Sequence, residues 1–452
     1  MLKTIFLIIS ICWFVPNVGL GQIKNSNSNT TPAWVENACI YEVNIRQYTP
    51  EGTFKSFEKH LDRLQDLGVK ILWFMPIQPI GQKNRKGTMG SYYSVQDYTK
   101  VNPEFGTLKD FQNLVRKCHQ MGFKVIIDWV ANHSSPDNPW VTAHPEWYFF
   151  DSTGKVQPPS GTDWWDVAKL NYTKPALHTE MIKSMNYWIK KCDIDGFRCD
   201  VAGDVPIDFW NKASQVLRAK KPIFMLAEWE NPNAFSAFNA DYGWELHHLL
   251  AKIASGEKKL TDIDTYLTIN SAKNPKNAIH MYFVTNHDEN SWNGTIKEKF
   301  GPLGDAFTAF TMIWNGIPLI YSGQEADLQR RLPFFEKDNI DWSILSKQDL
   351  LKKLIILKKQ NQALVNGENG AIPKRILTRT DEATYAFKRT KEKDEVVFIM
   401  NISPNKTLVK LKSNFVSTSY TNVLSGEKVQ FNVNENEFTL PGFGFLILEC
   451  HE

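Results

Sequence analysis

The stretch GFRCDVAGDVPIDFWNKASQVLRAKKPIFMLAEW, residues 196–229, carries the pattern that decides the fold. A short apolar run, 196–200, ends on Asp200. A segment of helical period, 207–220, follows it. Pro222 then stands just before a second apolar run, 224–229, which carries Glu228. Strand, helix and strand in this order form a βα repeat with a carboxylate at the end of each strand. The same alternation runs outward in both directions. Upstream, 39–48 precedes helical 54–67 and 70–77 precedes helical 108–121, the two helices ending at Gly68 and Gly122. The run 124–130 is followed by a long loop and helical 176–192. Downstream, after a less regular stretch, 280–288 precedes helical 305–314, and 318–323 precedes helical 348–364. A sixth strand is faint, near 238–242. Repeated βα units over this length predict a (β/α)₈ TIM barrel rather than a doubly wound sheet. No phosphate-type glycine loop follows the first strand, as a nucleotide-binding fold would require.

The segments outside the repeat have their own character. Residues 131–171 are too long for an ordinary loop and hold Trp140, Trp147, Trp164 and Trp165, which predicts a short excursion domain after strand three. Beyond 370 the pattern turns to short strands between polar turns, a C-terminal antiparallel β-sandwich over 370–452, with the barrel assigned to 38–369. At the N-terminus Lys3 precedes an apolar run over 5–18, and Gly19-Leu20-Gly21 offers a small-residue cleavage site. The expectation is a signal peptide over 1–21, a flexible leader over 22–37, and a secreted or periplasmic protein with no membrane span after cleavage. The net charge of the 452-residue chain is only +3, with both signs interspersed, which gives nucleic acid no basic face to bind. Cys39, Cys118, Cys192, Cys199 and Cys450 would remain after cleavage. Their spacing is neither a disulfide framework nor a metal motif, although one bridged pair stays open. His247 and His248 lack partners at metal spacing and read as ordinary helix residues.

Barrel enzymes place their chemistry at the C-terminal ends of strands. Here strand three ends in Asp128-Trp-Val-Ala-Asn132-His133 and strand four in Gly196-Phe-Arg198-Cys-Asp200. Strand five ends in Leu226-Ala-Glu228 and strand seven in Asn286-His287-Asp288. One carboxylate at a strand end reads as a helix cap or an ion pair. Four, with Arg198, His133 and His287 beside them, read as a site. Retaining glycoside hydrolysis uses one carboxylate to attack and another to protonate the leaving oxygen. Arg198 and Asp200 point to one side of their strand, so the guanidinium is expected to keep Asp200 ionised. Glu228 needs the opposite tuning, from apolar neighbours and negative charge.

The four strand ends resemble, in order and spacing, the signature regions of the α-amylase family of glycoside hydrolases. The stretches LWFMPI (72–77), YSVQDYTKVNPEFGT (93–107) and IPLIYSGQE (317–325) agree with this. The resemblance implies Asp200 as nucleophile, Glu228 as acid/base and Asp288 as the third carboxylate. It implies Tyr93, His133, Arg198 and His287 as substrate-binding residues around the cleaved bond. It also implies retention of configuration and an α-glucan substrate with α-glucosidic, α-1,4 bonds, as in starch or maltodextrins. A transglycosylase or trehalose-forming enzyme would use the same residues. A non-catalytic glycan-binding relative would be expected to lack one of the carboxylates, and none is missing. Asn132 matches a calcium-ligand position of the family. Val201-Ala-Gly203-Asp204 departs from the Lys-His that many members carry at the last two positions. No cofactor is therefore expected to be required, Ca²⁺ is the one metal in question, and its ligands are unassigned.

Overall fold

The computed structural model describes residues 30–432 and 435–450. Eight strands close a parallel barrel: β1 (Ile40–Val43), β2 (Ile71–Phe74), β3 (Lys124–Val130), β4 (Gly196–Asp200), β5 (Phe224–Ala227), β6 (Ala240–Tyr242), β7 (Ile279–Tyr282) and β8 (Ile317–Tyr321). Neighbours in sequence are neighbours in the barrel, and β8 pairs back onto β1 with Ile40 opposite Leu319. Nearly every strand residue is buried on both faces, which is why the strands read as continuous apolar runs. Alternate residues form two cores. Ile40, Ile71, Ile126, Phe224, Leu226, Met281 and Leu319 fill the barrel interior, while their neighbours pack outward against the helices.

The faint sixth strand has a physical cause. β6 is three residues long, and its middle residue, Asp241, is buried against His280 of β7 at 2.5 Å. The less regular stretch that follows contains two helices, Trp244–Ala254 and Asp262–Lys273. The second buries only Ile263, Tyr266 and Asn270, and a polar residue on so thin a stripe hides the helical period. The helix expected over 54–67 is split into Phe54–Glu58 and Leu61–Leu67, each with its own cap.

The excursion leaves β3 at Ala131. It is held by a two-residue ladder in which His133 pairs with Lys169 and Ser134 with Ala168. Trp140 stacks on Tyr98 at 4.8 Å and meets Trp147 edge-on at 5.4 Å, so this tryptophan pair is structural. In the C-terminal part, strands β9 (Lys374–Ile376), β10 (Thr384–Lys391), β11 (Asp394–Asn401), β12 (Thr407–Lys412), β13 (Ser419–Asn422), β14 (Lys428–Gln430), β15 (Glu435–Leu440) and β16 (Phe445–Cys450) are all antiparallel. They form a six-stranded sheet, β9-β10-β11-β16-β13-β14, and a β12–β15 pair that shares its core.

One expectation needs correction. Part of the segment expected as a flexible leader is ordered: Ala33–Val35 form a helical turn, Val35 joins the interior core, and Trp34 meets Phe224 edge-on at 6.0 Å. No cysteine bridge forms among the described residues, where Cys39, Cys118, Cys192, Cys199 and Cys450 are free thiols. The first four are buried, and burial pushes the Cys39 thiol up to about 12. The expected signal segment, 1–21, lies outside the described residues. No described helix is long and apolar enough to cross a membrane.

Candidate active site

The barrel brings the strand ends together around Arg198. This side chain is fully buried on β4 and lies under a ring of acids. One terminal nitrogen donates to Asp128 Oδ1 at 2.9 Å and to Asp200 Oδ1 at 3.0 Å. The other meets Glu228 Oε1 at 2.7 Å, and Nε donates to the Tyr242 hydroxyl at 3.0 Å. Three carboxylates thus share one guanidinium, a charge imbalance that apolar packing alone would not tolerate.

A second cation balances the far side. His287 lies between Glu42, whose Oε1 is 2.5 Å from Nδ1, and Asp288, whose Oδ2 is 3.2 Å from Nε2. Burial alone would depress the imidazole. Asp288 and Glu42 outweigh it and raise its pKa from 6.5 to about 9, so the ring is an imidazolium at neutral pH. Nε2 is also 2.7 Å from the Tyr93 hydroxyl, which donates to Asp128 Oδ2 at 3.0 Å. Trp73 of β2 donates to the same oxygen at 3.2 Å. Tyr93 stacks on the His287 ring at 5.4 Å and on Phe334 at 6.0 Å, so it is held flat at the floor of the cleft.

Along the strand Arg198 faces Asp200, and the fold adds Asp128 and Glu228 to the same guanidinium. Sharing the guanidinium changes the electrostatics. Burial first, then repulsion from Glu228, holds the Asp200 carboxyl well above the usual carboxylate range, and Arg198 only partly offsets this. Glu228 is raised as well, by burial and then by Asp288 against the pull of Arg198. The pair therefore binds a proton more tightly than isolated carboxyls would. Glu228 Oε2 accepts the Val201 N–H at 2.8 Å. Val201 follows Asp200 with φ 41°, a strained conformation for a β-branched residue, which aims that N–H at the acid. Among the described residues, Asp200 Oδ2 is buried without a hydrogen-bond partner.

His133 reaches the same cleft from the excursion. Its ring lies 5.6 Å from Trp164, and burial, with Lys169 nearby, lowers its pKa to about 3, so it stays neutral. The cleft encloses about 1050 Å³, with Tyr93, His133, Asp200, Glu228 and Asp288 on its floor. Its walls include Trp164, Trp165, Trp244, Trp292, Phe334 and Phe335. Of the seven residues expected at the site, the five on the floor line the cleft, and Arg198 and His287 lie buried beneath them.

Sequence reasoning missed Glu42, Trp73, Tyr242 and most of the aromatic wall, and gave Asp128 no role. Glu42 left a signal, since a lone acid in an apolar strand needs a partner. Glu325, inside a family-like stretch, lies elsewhere and binds Arg63 at 2.8 Å and the Tyr41 hydroxyl at 2.6 Å. His247 is a buried helix residue bonded to the Phe283 carbonyl and Glu289. Among the described residues no cluster of three or more His, Cys, Asp or Glu could hold a metal. A second cavity of about 620 Å³ opens at the opposite end of the barrel, beside Glu36 and Glu368.

A family model for the catalytic domain of α-amylase matches residues 22–354. The chain belongs to the α-amylase family. Members of this family are glycosidases, hydrolases of O-glycosyl bonds. The chain is 26% identical to an α-amylase of Haloarcula japonica, over 88% of this chain and 59% of that protein. It is also 26% identical to a cyclomaltodextrin glucanotransferase of Bacillus licheniformis, over 92% of this chain and 62% of that protein. It thus spans about three fifths of these relatives' length. An α-amylase crystal structure from Lactobacillus plantarum superposes with a TM-score of 0.83 at 29% identity, covering 92% of this chain and all of that one. An α-amylase-family barrel accounts for the placement of the acids at the C-terminal mouth, where strands end and loops can open a cleft.

Proposed function

We propose that the protein is a retaining glycosidase acting on α-1,4 bonds of starch, maltodextrins or related α-glucans. The observation that carries this is the arrangement of Asp200 and Glu228. They end adjacent strands, both lie on Arg198, and Asp288 and Tyr93 complete the floor of an aromatic-walled cleft. Attack requires that the proton bound by the pair sit on Glu228, with Arg198 stabilising the Asp200 anion. Asp200 Oδ2, free of donors, attacks the anomeric carbon as the bond to the leaving oxygen breaks, and Glu228 gives that oxygen its proton. Water then enters where the leaving sugar stood. Glu228 takes its proton, and the oxygen displaces Asp200, regenerating both carboxyls. Asp288 grips ring hydroxyls, the His287 imidazolium holds Asp288 and Tyr93 in place from below, Tyr93 stacks on the sugar face, and neutral His133 donates from the excursion. The expected signal segment makes the site of action outside the cytoplasm, secreted or periplasmic.

A second reading, transglycosylation, has its own support in the exposed walls. Trp165 and Trp292 are 55% and 51% exposed beside the cleft, flat platforms on which an acceptor sugar could displace water. Product analysis on maltoheptaose and soluble starch separates the two. Hydrolysis yields shorter dextrins whose first-formed reducing end is the α-anomer by NMR, and transfer yields longer or cyclic products. Asp200→Asn and Glu228→Gln should each cost about three decades of kcat with the fold intact. Near-wild-type activity in either folded variant, or an early β-anomer, would refute the assignment.

A further inference from the structure

The junction between excursion and barrel holds a cation of its own. Asn132 is fully buried at the end of β3, and its side-chain oxygen accepts from the Lys169 ammonium. The same ammonium donates to the main-chain carbonyl of Asp204 at 3.4 Å. Asp204 closes the 3₁₀ turn Ala202–Asp204 that follows β4 and its nucleophile candidate. One positive charge therefore ties an amide oxygen from β3 to a carbonyl oxygen from β4. These are the ligand types a hard metal ion uses.

We infer that the Lys169 ammonium takes the place of a calcium ion at this junction and positions the excursion, with His133, over the cleft. Backbone pairing aims the side chain. Lys169 lies opposite His133 in the two-residue ladder, its N–H donates to the Gln157 carbonyl at 2.8 Å, and the next N–H donates to the Asn132 carbonyl at 3.1 Å. The residues present do not suit calcium as well. Ca²⁺ takes six to eight oxygens, and four of the five acids of the excursion are committed elsewhere, while the fifth, Asp163, lines the cleft. Asp137 accepts from Gln82, Lys83 and Gln96, Asp151 caps its own turn at Thr153 and Lys155, and Asp166 pairs with Lys86 at 3.6 Å. Glu146 faces His144. A metal bound to Asn132 would have to displace the ammonium. A single +1 charge suits two neutral oxygens, and it cannot be removed by a chelator.

Lys169 is thus a positioning residue, and its test has two arms. In the first, the full-length wild type is melted with EDTA, and then with Ca²⁺ or Mg²⁺ restored. The melting temperature should stay within about 1 °C, since nothing that binds only the native state has been removed. A large EDTA-induced drop reversed by Ca²⁺ and not by Mg²⁺ would overturn the inference. In the second arm, Lys169→Met should lower the melting temperature and, with the fold verified, reduce kcat/KM on maltoheptaose roughly ten- to a hundredfold. Lys169→Arg, which keeps the charge, should recover most of both. A Met variant equal to wild type in both readouts would also overturn it. If the Met variant does not fold, the EDTA arm and the Arg variant decide. The melting readouts do not depend on which glucan is cleaved, so failure of the substrate reading and failure of this one are distinguishable.

Discussion

His287 shows at residue scale how one side chain's charge can couple to stability. Its neutral form would leave Glu42, buried on β1, without a cation. The folded-state pKa is raised from 6.5 to about 9, so protonation stabilises the fold. That contribution is fully present below about pH 6.5 and is lost as pH rises through 9, with an upper bound on the order of 3 kcal/mol. The wild type should therefore lose melting temperature between pH 7 and 9.5 more steeply than His287→Asn, and thermal melts across that range check this. Equal slopes would mean that His287 is neutral in the native protein. Residue identity alone did not show the charge. The pattern Asn286-His287-Asp288 was legible, but Glu42 lies 245 positions away in the chain and only folding reveals it.

Among the elements, legibility followed the apolar character of the buried residues. Strands with apolar faces on both sides stood out, whereas β6, with Asp241 at its centre, and the helix Asp262–Lys273, with its thin buried stripe, did not. Helix-to-strand junctions at Gly68, Gly122 and Gly196 are marked by glycine at positive φ. Gly196 opens β4, and a Cβ there would come within 1.9 Å of the Phe224 carbonyl oxygen on β5. Gly196→Ala must push β4 away from β5, and it would carry Asp200 and Glu228 apart with the strands. The expected cost is about 1–3 kcal/mol of stability, by analogy with overpacked cores, together with a loss of kcat. Denaturant melts and single-substrate kinetics measure both, and an unchanged kcat would show that the strand ends absorb the shift.

At the scale of the whole molecule, the C-terminal sheets are joined to the barrel through a buried arginine. Arg389 of β10 donates to the carbonyls of Ile313 and Trp314 at 2.8 and 3.1 Å and to Ala371 at 2.6 Å, beside the Phe310, Trp314 and Phe387 rings. Arg389→Ala would strand those carbonyls away from water, and unpaired buried polar groups cost about 1–3 kcal/mol each. A denaturant melt should show the loss, with Arg389→Lys intermediate. A melt unchanged by Ala would place the adhesion in the aromatic cluster instead.

The chain's linear order determined the succession of βα units, the excursion after β3 and the seven residues that meet at the barrel mouth. Hydrophobic period and the rarity of acids in apolar strands are local properties, readable along the chain. Tertiary structure alone decided how the charges divide. It placed Arg198 among three acids, made His287 a cation through Glu42, sent Trp140 and Trp147 into packing and Trp164 and Trp165 to the cleft, and set Lys169 on Asn132. Coulomb attraction and desolvation act through space, so the state of each group depends on neighbours that closure of the barrel supplies.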